Sequence, residues 1–238
     1  MHEPLRLSKC VVALTGCSRS QAQQYIEGGW VLVDGEVVDE PQFMVGTQTV
    51  TLAEGAKLEP IEPATFLLHR DATPLPDDEA LATALAPGAR SATDASGIRP
   101  LRRHFQRLSE VLPLEPGASG LAVLTQDGRL LRRMQDEGER LEQEIIVEVE
   151  GTLAPYDIKK LEHGLSYLGR ALPPAKVSWQ NETKLRFALK GPRPGQLASM
   201  CAEVGLQVVS MKRLRIGRVA LGPMAAGEWR YLPGSLRF

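Results

Sequence analysis

The 238-residue chain is 43% hydrophobic and 24% charged, with 22 Gly and 17 Pro. That composition excludes disordered, collagenous and fibrous chains, and the length suits one large or two modest domains. The formal charge of −1 conceals an uneven distribution: residues 1–60 carry four Lys and Arg against eight Asp and Glu, a net −4, whereas residues 184–238 carry ten against two, a net +8. A local basic face, more than the net charge, marks a polyanion partner. No apolar run approaches the roughly 18 to 20 residues of a membrane span, and the N-terminus lacks the apolar core of a secretory signal, so a cytoplasmic protein without membrane contact is expected. Cys10, Cys17 and Cys201 form no C-x-x-C pair. Neither a disulfide framework nor a metal site is therefore expected, and chemistry at this chain is expected to need no cofactor.

Leu5, Leu7, Cys10, Val11 and Leu14 recur at helical spacing. Ser18 or Ser20 is placed to cap a second helix through Ala22, Tyr25 and Ile26, ending at Gly28-Gly29. The period then changes to that of strands, Val31 to Val33 and Val37-Val38, joined by the turn pair Asp34-Gly35, with further strands at Val45 and from Thr49 to Leu52. A helix-helix-hairpin domain over 1–59 is predicted, followed by a linker over 60–65, where paired prolines hold the chain extended. The second domain, 66–238, opens on a strand at Phe66-Leu67-Leu68. The run from Thr73 to Asp94 is predicted as a surface loop with a short helix around Glu79–Leu85. Strands are predicted at Gly120 to Thr125 and Ile145 to Val149, with a charged helical stretch from Leu130 to Glu142 between them. Helices are predicted over Lys159 to Leu165 and Gln196 to Val204, and a strand over Lys212 to Val219. Irregular interleaving of strands and helices makes the fold α+β.

The opening "RLSKCVVALTGCSRSQAQQYIEGGWVLVDGEVV" resembles the alpha-L RNA-binding module shared by a small-subunit ribosomal protein and many RNA-modifying enzymes. "SGLAVLTQDG" at 119–128, "LEHGLSYLGRALPPAKV" at 161–177 and "VVSMKRLRIGRVALGPMAAGEWRYL" at 208–232 resemble the bacterial ribosomal-RNA pseudouridine synthases that carry this module at their N-terminus. The resemblance implies a mixed, mainly antiparallel, curved sheet in the larger domain, with a target uridine held in a cleft on one face. It also implies a cofactor-free isomerisation in which an extruded uridine is detached from its ribose, rotated and rejoined through carbon 5. The family uses an aspartate on the sugar, a basic partner that keeps it ionised, and a tyrosine against the base.

This chain departs from the family at all three positions. The aspartate position holds Glu115, preceded by Pro113 in place of an arginine; the tyrosine position holds Ile145; and the arginine position holds Ala198. Glu115 has two readings, a surviving nucleophile or a surface loop residue before Pro116-Gly117, and the second is favoured by the turn signal. Glu142, Glu144, Glu148 and Glu150 alternate as a solvated strand face would, and His69, His104 and His163 show no ligand spacing. Trp30, Trp179 and Trp229 are assigned to packing in preference to base stacking.

Features for RNA binding are better preserved. Arg19 begins the second helix, where free backbone N–H groups favour phosphate, and Lys9 lies one helix earlier. Lys212, Arg213 and Arg215 alternate along a strand, so at least one of its faces is cationic. Arg99, Arg103 and Arg107 would share a helical face beside Arg102 if that stretch were helical. The expected protein is a monomeric RNA-binding relative of the synthases, acting on or near ribosomal RNA with weak or lost catalysis. Its alternatives are an active synthase using Glu115, and a protein-interaction scaffold without RNA affinity.

Overall fold

The computed structural model describes residues 3–73, 84–234 and 236–238. The chain divides into two compact units, Met1–Pro63 with Arg99–Gln106, and Ala64–Ile98 with Arg107–Phe238.

The first unit follows the order β1 (Leu5–Arg6), α1 (Leu7–Thr15), α2 (Arg19–Glu27), β2 (Val31–Val33), β3 (Glu36–Val37), β4 (Met44–Val45) and β5 (Val50–Leu52). Strand β2 lies between β3 and β5 in an antiparallel sheet, and β1 pairs with β4. Both helices turn one apolar stripe inward: Leu7, Val11, Ala22 and Ile26 pack with Val31, Val33 and Val45 in one buried cluster. Ser18 caps α2 in a reciprocal box, its hydroxyl accepting from Gln21 N while Gln21 Oε1 accepts from Ser18 N.

Arg99–Gln106 clusters with this unit, although the sequence reading counts it in the larger domain. Charge explains the attachment. Arg102 reaches Glu40 and Arg103 reaches Glu27, each at 2.8 Å, and Arg99 lies 4.5 Å over the Trp30 ring. The stretch forms a 3₁₀ turn at Arg102–Phe105 and not the α-helix that would align Arg99, Arg103 and Arg107. Pro100 lacks a backbone donor, and the arginines are drawn to separate acids.

The second unit contains β6 (Thr65–Arg70), β7 (Ser109–Val111), β8 (Ala118–Thr125), α3 (Gly128–Glu137), β9 (Glu142–Glu150) and α4 (Asp157–Glu162). It continues with β10 (Ser166–Tyr167), β11 (Arg170–Ala171), β12 (Lys176–Trp179), β13 (Lys184–Lys190), α5 (Gln196–Ala202), β14 (Gln207–Ile216), β15 (Val219–Ala220) and β16 (Trp229–Tyr231). Nine of these strands form one mixed sheet in the order β12-β13-β9-β14-β8-β6-β16, with β15 beside β14 and β7 beside β8. The β8–β14 pairing is parallel and the other described pairings in this sheet are antiparallel. The architecture is α+β, as expected. The helix expected around Glu79–Leu85 falls largely on 74–83, outside the described residues.

One side of the sheet is sealed by Leu67, Val111, Leu121, Val123, Met134, Ile216 and Val219. Phe66, Trp229 and Tyr231 form a buried aromatic group, with the Phe66 and Tyr231 ring centroids 4.7 Å apart, so Trp229 is a packing residue. Strands β8 and β14 approach so closely at Gly120 that a Cβ there would lie 2.2 Å from Arg213 O, which explains the glycine in the Ser-Gly-Leu stretch. Strand β14 bulges against β9 between Arg213 and Arg215. That irregularity separates two arginines which simple alternation would place on one face.

Candidate functional site

A cleft of about 290 Å³ opens in the second unit. It is built mainly by the loop Leu112–Glu115 ahead of β8, the turn Gly191–Pro194 ahead of α5 and inward positions of β9 and β14, with Gly138, Glu139 and Leu197 also in the lining. Gln143 and Ile145 line it from β9, and Met211 and Arg213 from β14.

Glu115 faces this cleft. The turn foreseen at Pro116-Gly117 is present, closed by Ala118 N–H donating to Glu115 O at 2.9 Å, but the side chain points to the cleft and not away from the molecule. Its Oε1 accepts a hydrogen bond from Gly195 N–H at 2.8 Å. Among the described residues, no Lys or Arg forms an ion pair with it. Burial pushes the Glu115 carboxyl above its ordinary pKa, against the lowering effect of the Gly195 hydrogen bond. Nearby Cys201 is pushed up to about 12 by burial and by the Glu115 charge, so it remains a thiol.

The other two positions singled out in the sequence lie at or beside the same cleft. Ile145 is buried in the cleft wall and presents only hydrocarbon to it. Ala198 is exposed on α5 and brings no charge, while its neighbour Leu197 lines the cleft.

Arg213 differs from the surface phosphate contact expected of it. It is 3% exposed, its Nε donates to Leu121 O at 2.8 Å, and its Nη1 donates to Leu112 O at 2.7 Å and to Gln143 Oε1 at 3.2 Å. Burial pulls its pKa down to about 10, and Nη2 has no hydrogen-bond partner among the described residues. The guanidinium is therefore an internal scaffold for the loop that carries Glu115. Beyond the bulge, Arg215 pairs with Glu142 at 2.6 Å and Glu144 at 3.3 Å, and Glu144 also meets Arg186 at 2.9 Å. Hydrogen bonds from these arginines hold both glutamates below the ordinary carboxylate range. Glu142 and Glu144 are thus paired with arginines, Glu148 lies 3.9 Å from Lys184, and Glu150 is exposed.

Among the remaining cations, Lys9 and Arg19 are exposed and have no ion pair among the described residues, and the same holds for half-buried Lys212. Arg102 and Arg103 are engaged with acids of their own unit. Sequence reading missed Arg193, which lines the cleft without reaching Glu115. Its signal was the Pro192-Arg193-Pro194-Gly195 turn directly before a helix.

Comparison with known proteins places these features. Residues 5–50 match the S4 domain family. The dual-specificity RNA pseudouridine synthase RluF of Escherichia coli K12 is 27% identical over 232 residues, covering 96% of this chain and 75% of that protein. The ribosomal large subunit pseudouridine synthase B of Bacillus subtilis is 26% identical, covering 95% of this chain and 91% of its own. The ribosomal small subunit pseudouridine synthase A of E. coli K12 is 26% identical, with 96% of each chain covered. A crystal structure of a pseudouridylate synthase shares the fold, with a TM-score of 0.59 at 21% identity over 97% of both chains.

Proposed function

We propose that the chain is a relative of the RNA pseudouridine synthases it resembles, that it binds ribosomal RNA through its N-terminal S4 domain and the larger unit, and that it holds a nucleotide in its cleft with weak or no turnover. The observation that carries this reading is Glu115 in the cleft with a backbone N–H and, among the described residues, no cation as its partner. Burial raises the pKa of a carboxylate so placed and no cation offsets it among the described residues, whereas the family's basic partner keeps its carboxylate ionised for attack. The added methylene displaces the carboxylate by about 1 Å, which alone costs on the order of a hundredfold in rate. Ile145 supplies no proton acceptor in place of the phenol, a contribution of typically about a hundredfold or more. Groups that act as a unit do not contribute additively, so the combined loss is smaller than the product, but either factor alone makes a poor catalyst.

A second reading, an active synthase, is favoured by one observation: the carboxylate survives inside the cleft. RNA is the partner in both readings. Both take the protein as a cytoplasmic monomer needing no cofactor. Of the cations singled out in the sequence, Lys9, Arg19 and Lys212 are exposed or half-exposed and available for phosphate, and Arg193 lines the cleft beside the buried Arg213.

Binding to a ribosomal RNA fragment across a salt series tests the proposal. Affinity is expected to fall linearly on a log–log plot, and Lys9→Ala with Arg19→Ala is expected to weaken binding and flatten the slope by about 0.7 to 0.9 per phosphate contact removed. Absence of binding at low salt would favour the scaffold reading.

A further inference from the structure

The Pro194 carbonyl and the Gly195 N–H belong to one peptide group, and both of its polar atoms are engaged. On one side, the Tyr167 hydroxyl donates to Pro194 O at 2.7 Å. On the other, Gly195 N–H donates to Glu115 Oε1 at 2.8 Å. Phenol, peptide and carboxylate therefore form a continuous donor chain that crosses from the small β10–β11 ribbon to the cleft.

Position 195 requires glycine. Gly195 has φ 77°, and a Cβ at that position would lie 2.6 Å from Tyr167 Oη, so the ring is close-packed on the turn as well as bonded to it. The second carboxylate oxygen, Oε2, has no hydrogen-bond partner among the described residues. Hydrogen bonds in series polarise one another: a donor on the carbonyl shifts electron density toward oxygen and makes the N–H of the same peptide a stronger donor.

We propose that Tyr167 is a positioning residue for Glu115: through the single Pro194–Gly195 peptide its hydroxyl fixes one carboxylate oxygen and leaves the other for the nucleotide entering the cleft. The inference rests on the reading of Glu115 as the group that meets the bound nucleotide, but it concerns the carboxylate's geometry and charge and is independent of turnover. The directions at Glu115 agree with it, because burial raises the carboxyl and the Gly195 hydrogen bond is the opposing influence. Weakening that bond must move the titration upward.

The test is a titration of the full chain labelled with ¹³C at glutamate carboxyls, with the Glu115 resonance assigned by its loss in Glu115→Gln. Tyr167→Phe removes one oxygen and keeps the ring. The Glu115 midpoint is expected to rise by about 0.1 to 0.3 of a pH unit, taking a cooperative share of roughly 10–30% on a hydrogen bond of about one unit. Site-specific 3-fluorotyrosine at 167 retains the hydroxyl as a stronger donor and is expected to shift the midpoint downward, so the proposal stays testable if the Phe variant folds poorly. A brace with no electrostatic role would lower thermal stability in Tyr167→Phe while leaving the Glu115 midpoint in place, and an unmoved midpoint in both variants overturns the proposal. Loss of RNA binding with the titration shifts intact would instead count against the function proposed above.

Discussion

Arg213→Ala is expected to destabilise the protein by about 3 kcal/mol, the largest stability effect of any single change near the cleft. The side chain donates to two backbone carbonyls, Leu112 O and Leu121 O, and to the Gln143 side chain, all in a region where it is itself 3% exposed. Each buried acceptor left without a partner costs about 1 to 3 kcal/mol. Relief from desolvating a guanidinium offsets part of this, and water entering through the cleft satisfies part of the rest. Arg213→Lys keeps the charge but not the planar fork that reaches both carbonyls, so its loss should fall between wild type and alanine. Urea unfolding reads the effect as a lower midpoint at unchanged slope. An alanine variant within 0.5 kcal/mol of wild type, roughly the scatter of ordinary surface changes, would show that Arg213 does not hold the loop.

The second large effect concerns activity. Restoring all three family positions together, Glu115→Asp with Ile145→Tyr and Ala198→Arg, is expected to raise tritium release from carbon-5-labelled uridine in ribosomal RNA by at least about a hundredfold over wild type. Partial sets should gain little, because the carboxylate, its cation and the phenol act as one unit. The positions can receive these side chains: Ile145 lines a cleft of about 290 Å³, and Ala198 is exposed on α5 beside the cleft-lining Leu197. RNA affinity should stay near the wild-type value, which separates restored chemistry from altered binding. A triple variant that binds RNA and releases no more tritium than wild type would place the defect elsewhere.

Features set by local periodicity were legible in the sequence. Leu7, Val11, Ala22 and Ile26 lie where a 3.6-residue stripe puts them, Ser18 caps α2, and Asp34-Gly35 turns β2 into β3. The charged stretch from Leu130 is helical as α3, which starts at Gly128 after the Asp127 cap. What local pattern missed depends on residues far apart in the chain. Glu115 faces inward because its partner, Gly195, arrives 80 positions later. Arg213 and Arg215 part company because β14 bulges against β9, an irregularity that alternation cannot encode. Arg102 and Arg103 lie against Glu40 and Glu27 because the acid excess of the first unit draws in a segment over sixty positions away. The family resemblance singled out Glu115, Ile145 and Ala198, and the structure added the surroundings in which burial raises the Glu115 carboxyl.

Tritium release by the purified wild-type protein, measured beside Glu115→Ala on the same labelled ribosomal RNA, bears most directly on whether the cleft holds a nucleotide without isomerising it. The expected result is release at the background level from both proteins, with RNA binding retained in each. Sustained release by wild type that disappears in Glu115→Ala would establish the glutamate as a working nucleophile and contradict the account.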